Sequence, residues 1–330
     1  MNRRVVFKFA FSIFFFFVIA VKGFSSNGGF LIKNDADKAI IPFQYIDNFI
    51  VLPVRFNHGE VMNIILDTGI RSIVLFNKKL AYKNGFFEDR PVTFAGAGFS
   101  NTVKGFVTND VTVSLPQVQG KGISIVTLNR AFSKIRSLGI DGAMGYQIFS
   151  RFVVEIDYKN KYLILHNDKR FRLEQGYNTI PLQIEDTRPY IHGATNNEGN
   201  HFNLKLLIDT GFNDQMMLFE NKKTMPIIDR LDKKAHVNSL GKGLAGTIKG
   251  RLASNFNFQI ENIPINIPRL FLPRSDNYDL DDQRDGVIGN KLLSQHVVII
   301  DYIHGHLHLR PHYYRNSLQQ IYSALANSWL

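Results

Sequence analysis

The chain has 330 residues, 45% of them hydrophobic and 20% charged, with no cysteine and a formal net charge of +11. That length and apolar content suffice for two packed lobes, and the missing cysteine excludes disulfides, so the core must hold the fold alone. The basic residues fall in short pairs such as Lys78-Lys79, Lys222-Lys223 and Lys233-Lys234, with no stripe interleaved with aromatics, which argues against a nucleic-acid partner.

In chain order, Arg3 and Arg4 precede an uncharged apolar run over residues 9–21, followed by Lys22-Gly23 and the small residues Ser25 and Ser26. This is the layout of a secretory signal peptide, here residues 1–25, and the run is shorter than the roughly 20 residues that span a bilayer. Cleavage near residues 23–26 removes Arg3, Arg4, Lys8 and Lys22, lowers the formal charge from +11 to +7, and leaves no membrane segment. The expectation is an exported protein, periplasmic or secreted. Secreted eukaryotic domains usually carry disulfides, so the lack of cysteine points to a bacterial, Gram-negative source.

Residues 40–55 and 61–66 read as two strands about an Asn57-His58-Gly59 turn. The second strand, Ile64-Ile65-Leu66, runs into Asp67-Thr68-Gly69, where a buried strand delivers a carboxylate to a fixed place. The glycine permits a sharp turn, and the threonine hydroxyl can hydrogen-bond across a junction. Residues 73–76 continue as strand, 77–82 form a helical turn, and Phe94-Ala95-Gly96-Ala97-Gly98-Phe99-Ser100 reads as a glycine-rich hairpin tip. It lacks the Lys-Ser/Thr ending and the following helix of a phosphate loop. Strands over 111–115 and 123–128, a helix over 131–137 and a closing hairpin over 157–163 complete a first lobe, 26–170. A polar linker runs over 167–177.

The second lobe, 171–310, repeats the plan. Leu206-Leu207-Ile208 runs into Asp209-Thr210-Gly211, and Leu240-Gly241-Lys242-Gly243-Leu244 supplies a second glycine-rich tip. The interval from turn Asp to Asp-Gly is 74 residues for Asp141-Gly142 and 76 for Asp285-Gly286. From there to Asp157-Tyr158 and Asp301-Tyr302 it is 16 in both. Ile41-Pro42 and Ile180-Pro181 precede the two turns by 25 and 28 residues. Two copies at so long a period make an internal duplication into a pair of lobes. Leu318, Ile321, Tyr322, Leu325 and Trp329 recur at helical spacing in a tail, 311–330, that is expected to pack on the body.

These paired motifs resemble the two-lobed aspartic proteases of the pepsin and retropepsin group, over nearly everything from residue 40 to 310. The resemblance implies a mainly-β bilobal fold with few short helices and two homologous barrel-like lobes. Each lobe gives one Asp-Thr-Gly turn, with an apolar-apolar-Gly segment beneath it, here Ala143-Met144-Gly145 and Val287-Ile288-Gly289. It implies Asp67 and Asp209 as the catalytic pair, Thr68, Gly69, Thr210 and Gly211 as supporting turn residues, and Gly96, Gly98, Phe99, Gly241 and Gly243 as a flap over a polypeptide substrate. It further implies aspartic endopeptidase activity in a monomer, with no cofactor and no metal. The alternative is an inactive descendant that binds peptides. About 15 residues separate the cleavage point from the first strand, too few for a pepsin-like inhibitory prosegment.

Two departures from the pepsin pattern stand out. Ile70 and Phe212 occupy positions where pepsins carry a hydroxyl that donates to a catalytic carboxylate, and loss of that donor is expected to raise the pair's pKa and move activity toward near-neutral pH. The first flap lacks the usual tyrosine, with Phe99 in its place. His304, His306 and His308 alternate as on one strand face. Their first-lobe counterparts Asn160, Tyr162 and Ile164 mark the position as a hairpin with an exposed strand, without a metal.

Overall fold

A computed structural model describes residues 29–95, 102–129, 133–197, 200–231, 233–242, 247–273 and 284–312. The signal-peptide and tail expectations, the flap residues Gly96, Gly98, Phe99 and Gly243, and most of the polar loop before Asp285 lie outside them. No helix among the described residues is long and apolar enough to cross a membrane.

The chain is mainly β. Its first half gives β1 (Gly29–Ile32), β2 (Lys38–Pro42), β3 (Gln44–Ile46), β4 (Phe49–Phe56), β5 (Val61–Leu66), β6 (Ile73–Leu75), β7 (Arg90–Ala95), β8 (Thr102–Leu115), β9 (Val118–Leu128), β10 (Gly142–Met144), β11 (Val153–Asp157) and β12 (Tyr162–His166). The second gives β13 (Asn178–Pro181), β14 (Gln183–Glu185), β15 (Arg188–Asn197), β16 (Asn200–Asp209), β17 (Met216–Leu218), β18 (Lys233–Lys242), β19 (Thr247–Ala253), β20 (Phe256–Ile260), β21 (Ile263–Ile267), β22 (Leu270–Pro273), β23 (Gly286–Gly289), β24 (His296–Asp301) and β25 (His306–Pro311). Short helices α1 (Lys78–Lys83), α2 (Ser133–Ser137), α3 (Tyr146–Phe149), α4 (Met225–Ile228) and α5 (Asn290–Leu293) punctuate them.

The two halves form two β bodies with matching pairings. β4, β5, β10, β6, β9 and β8 pair in that order, and β8 returns to β4 through Arg55↔Ser114 and Phe56↔Val113, closing a six-stranded barrel. In the second body β15, β16, β23, β17, β22 and β19 follow the same order, but the continuous β8 is replaced by β19 and β20, separated at Asn255 with φ 58°. One register pair, Ala194↔Gln259, joins β15 to β20, so the second sheet curls without closing. A third sheet of six strands, β13-β25-β24-β11-β12-β2, takes three strands from each half and joins the bodies.

The apolar run before each Asp-Thr-Gly turn is a strand buried on both faces. Ile64, Ile65, Leu66 and Leu206, Leu207, Ile208 are all at most 1% exposed, which is why the sequence shows continuous apolar residues there and no alternation. β10 and β23 lie parallel beside them, Met144 opposite Leu66 and Ile288 opposite Ile208. The Asp of each Asp-Gly ties down the same strand. Asn63 N–H donates to Asp141 Oδ2 at 3.0 Å, and Lys205 N–H to Asp285 Oδ2 at 2.8 Å.

Local expectations differ from the structure in three places. Residues 40–55 are three strands, because Asp47 and Asn48 take positive φ (47° and 63°) and turn β3 back on β4. The strands expected over 111–115 and 123–128 are the ends of the long β8 and β9, continued past a bulge near Asp110. His308, expected on an exposed strand, is 5% exposed on β25, where β13 covers its edge with Thr179 opposite.

Candidate active site

Both Asp-Thr-Gly turns meet between the two bodies, where β5 and β16 end. Thr68 N–H donates to Thr210 Oγ1 and Thr210 N–H to Thr68 Oγ1, each at 3.0 Å. Each hydroxyl then donates to a carbonyl of the opposite strand, Thr68 to Ile208 O at 2.6 Å and Thr210 to Leu66 O at 2.8 Å. Both threonines are fully buried, so four polar groups that water cannot reach are satisfied only by the other half.

Asp67 and Asp209 point into the same space, 0% and 2% exposed. Each accepts the N–H of its own turn glycine at 2.8 Å, Gly69 to Asp67 Oδ1 and Gly211 to Asp209 Oδ1. Closeness requires glycine at one of the two turns and favours it at the other. A Cβ on Gly211 would overlap the Asp67 carboxyl group, while one on Gly69 would meet Asp67 Oδ1 at 3.1 Å and Asp209 Oδ1 at 3.3 Å. Asp67 Oδ2 is buried with no hydrogen-bond partner in the structure.

Burial pushes Asp67 well above the usual carboxylate range and the Asp209 charge adds to it, against the Gly69 N–H. Asp209 is raised to about 6, again chiefly by burial, with the Gly211 N–H and then Arg284 opposing. The direction matches the expectation drawn from Ile70 and Phe212. Both of these side chains are fully buried, and the leading cause is the dry surroundings. Two like carboxylates in one dry space cannot both ionise cheaply, so the pair titrates as a unit and holds one proton over an interval of pH.

The turns are braced by residues that sequence reasoning did not single out. Asn213 Nδ2 donates to Asp47 O at 2.9 Å, and Asn48 Nδ2 to Asn213 O at 3.0 Å. At the matching place in the other half, Arg71 pairs with Asp186 at 2.6 Å. Each active turn thus grips the β3–β4 or β14–β15 turn of the opposite body. Tyr158 O–H donates to Asn290 Oδ1 at 2.8 Å, and Asn290 Nδ2 to Thr210 O at 2.5 Å. Arg188 and Arg284, 6% and 3% exposed, bring positive charge toward the pair; Arg188 lowers both carboxyls and Arg284 lowers Asp209. The matched spacing could have flagged Arg71 and Asn213, which both stand four residues after their turn Asp. The two arginines carry no sequence signal.

Of the expected flap, Gly241 lies on β18, paired with Ile248 of β19. Asp157 and Asp301 stand apart from the pair and cap their own hairpins, accepting the N–H of Asn160 at 3.0 Å and of His304 at 2.9 Å. A scan against protein-family models and a search of curated proteins each return no match.

Proposed function

We propose that the chain is an aspartic endopeptidase with the bilobal fold of the pepsin and retropepsin group. The observation that carries this is the reciprocal Thr68–Thr210 bonding, which holds two buried, proton-sharing carboxylates side by side, one from each half.

The chemistry follows from the asymmetry of the pair. Arg284 favours the ionised form of Asp209 alone, and the Asp209 charge raises Asp67, so Asp67 keeps the shared proton. Asp209 takes a proton from a water placed between the carboxyls as that water attacks the scissile carbonyl carbon. Asp67 gives its proton to the carbonyl oxygen. On collapse the proton on Asp209 passes to the departing amine nitrogen, the C–N bond breaks, and Asp67 regains its proton as the carbonyl re-forms. No covalent acyl-enzyme arises. The Gly69 and Gly211 N–H groups hold the inner carboxylate oxygens and leave the outer ones for water and substrate.

The partner is a polypeptide in extended form, and glycine-rich strands such as β18 at Gly241 suit close approach to its backbone. The test is hydrolysis of casein by the chain without residues 1–25, with and without pepstatin. Cleavage that pepstatin abolishes supports the assignment. Cleavage insensitive to pepstatin and sensitive to a serine-protease reagent removes it.

A further inference from the structure

The hairpin that closes the second half differs from its first-half twin in one chemical respect. In the first half Asp157 Oδ1 accepts the Asn160 N–H at 3.0 Å and Oδ2 accepts Asn160 Nδ2 at 2.8 Å. In the second half Asp301 Oδ1 accepts the His304 N–H at 2.9 Å, and Oδ2 meets His304 Nδ1 at 2.7 Å. The turn is therefore built the same way with an amide or an imidazole. The next two positions on the same strand face are Tyr162 and Ile164 in the first half but His306 and His308 in the second. At these three positions the first copy has no imidazole, and the second copy carries three.

We propose that Asp301, His306 and His308 form a structural site for one divalent transition-metal ion of the zinc class, with His304 holding the carboxylate. Asp301 and His306 are direct register partners across β24 and β25, His308 follows two residues on, and one ligand atom from each of the three lies within 4.8 Å of the others. A small adjustment of side chains brings such a set to zinc-ligand distances of about 2.0–2.2 Å. The surroundings are those of a ligand set. Thr179 Oγ1 bonds His308 Nδ1 at 2.9 Å and leaves Nε2 to ligate, and the His306 and His308 rings stack at 5.6 Å. Asp301 and His308 are 2% and 5% exposed, while His306 is only partly buried and gives the ion its entry path.

The residue after Asp301 is Tyr302, which stacks on Phe149 at 5.3 Å and feels the charges of Asp67 and Asp209.

The experiment uses the untagged chain, stripped with EDTA, dialysed, and titrated with zinc sulfate against a chromophoric chelator. Its comparison is His306→Tyr/His308→Ile, which installs the residues that the first-half hairpin already accommodates. The wild-type chain is expected to bind one zinc ion, on the order of 100-fold more tightly than the variant, and zinc should raise Tm in the wild type alone. Equal affinity in the two proteins, or no zinc bound by the wild type, overturns the site. If the double variant does not fold, His306→Tyr alone is expected to show the same direction of loss, and unchanged affinity there overturns the proposal as well.

Discussion

Thr68 and Thr210 each donate a backbone N–H to the other's hydroxyl at 3.0 Å, across 142 residues of sequence. Replacing either with valine keeps the shape, removes the hydroxyl, and strands a buried N–H and a buried carbonyl of the opposite half. Each variant should lose about 1–3 kcal/mol of stability, because each hydroxyl serves one N–H and one carbonyl that the other does not. Denaturant unfolding of both variants checks this, and an unchanged stability in either would contradict the reciprocal arrangement.

The two turn glycines should not be equivalent. A Cβ at Gly211 overlaps the Asp67 carboxyl group, while at Gly69 the nearest atoms stand at 3.1 and 3.3 Å. Gly211→Ala is expected to abolish hydrolysis, and Gly69→Ala to leave measurable activity. A kcat comparison with matched Tm values decides, and equal losses would mean that the carboxyl positions differ from those described.

The raised carboxyl at Asp209 fixes the pH dependence. The productive form carries one proton on the pair, so activity should rise with an apparent pKa near 6 and persist into near-neutral pH, falling again only where Asp67 ionises. An optimum below about pH 3 would refute the account. Arg188 lowers both carboxyls, so Arg188→Met should shift the acidic limb upward, a displacement that a merely structural loss would not produce.

Stability has the opposite sign to activity. The folded chain holds the Asp209 proton to about pH 6, whereas the unfolded chain releases it near pH 3.9, so this group's contribution is full below that value and is lost as pH rises through 6. Asp209→Asn imitates the protonated acid. At pH 7.5 it should stabilise the fold by about 1–3 kcal/mol, and a fall in Tm there would show that the carboxylate is favourably paired.

Much of this was legible in the sequence because the duplication acts as its own control. Asp67 and Asp209, their threonines and glycines, and the segments beneath them could be placed by matching one half to the other, since a twofold plan needs the same residue at the same step. The break of residues 40–55 into three strands was missed, although Asp47-Asn48 is a turn signal, because the apolar residues run through it. Arg188 was not legible, since its closeness to the pair depends on the β14–β15 turn of one half reaching into the other. The burial of His308 depends on β13, which pairs with β25 through Thr179, 129 residues earlier in the same half.

The most direct measurement is casein hydrolysis by the wild-type chain and by Asp67→Asn and Asp209→Asn, from pH 3 to 8, each with its Tm. The account expects both variants to fold and each to lose activity by at least about 1000-fold, because either carboxyl alone can neither share the proton nor return it. Full activity in one variant would contradict a site shared between the halves.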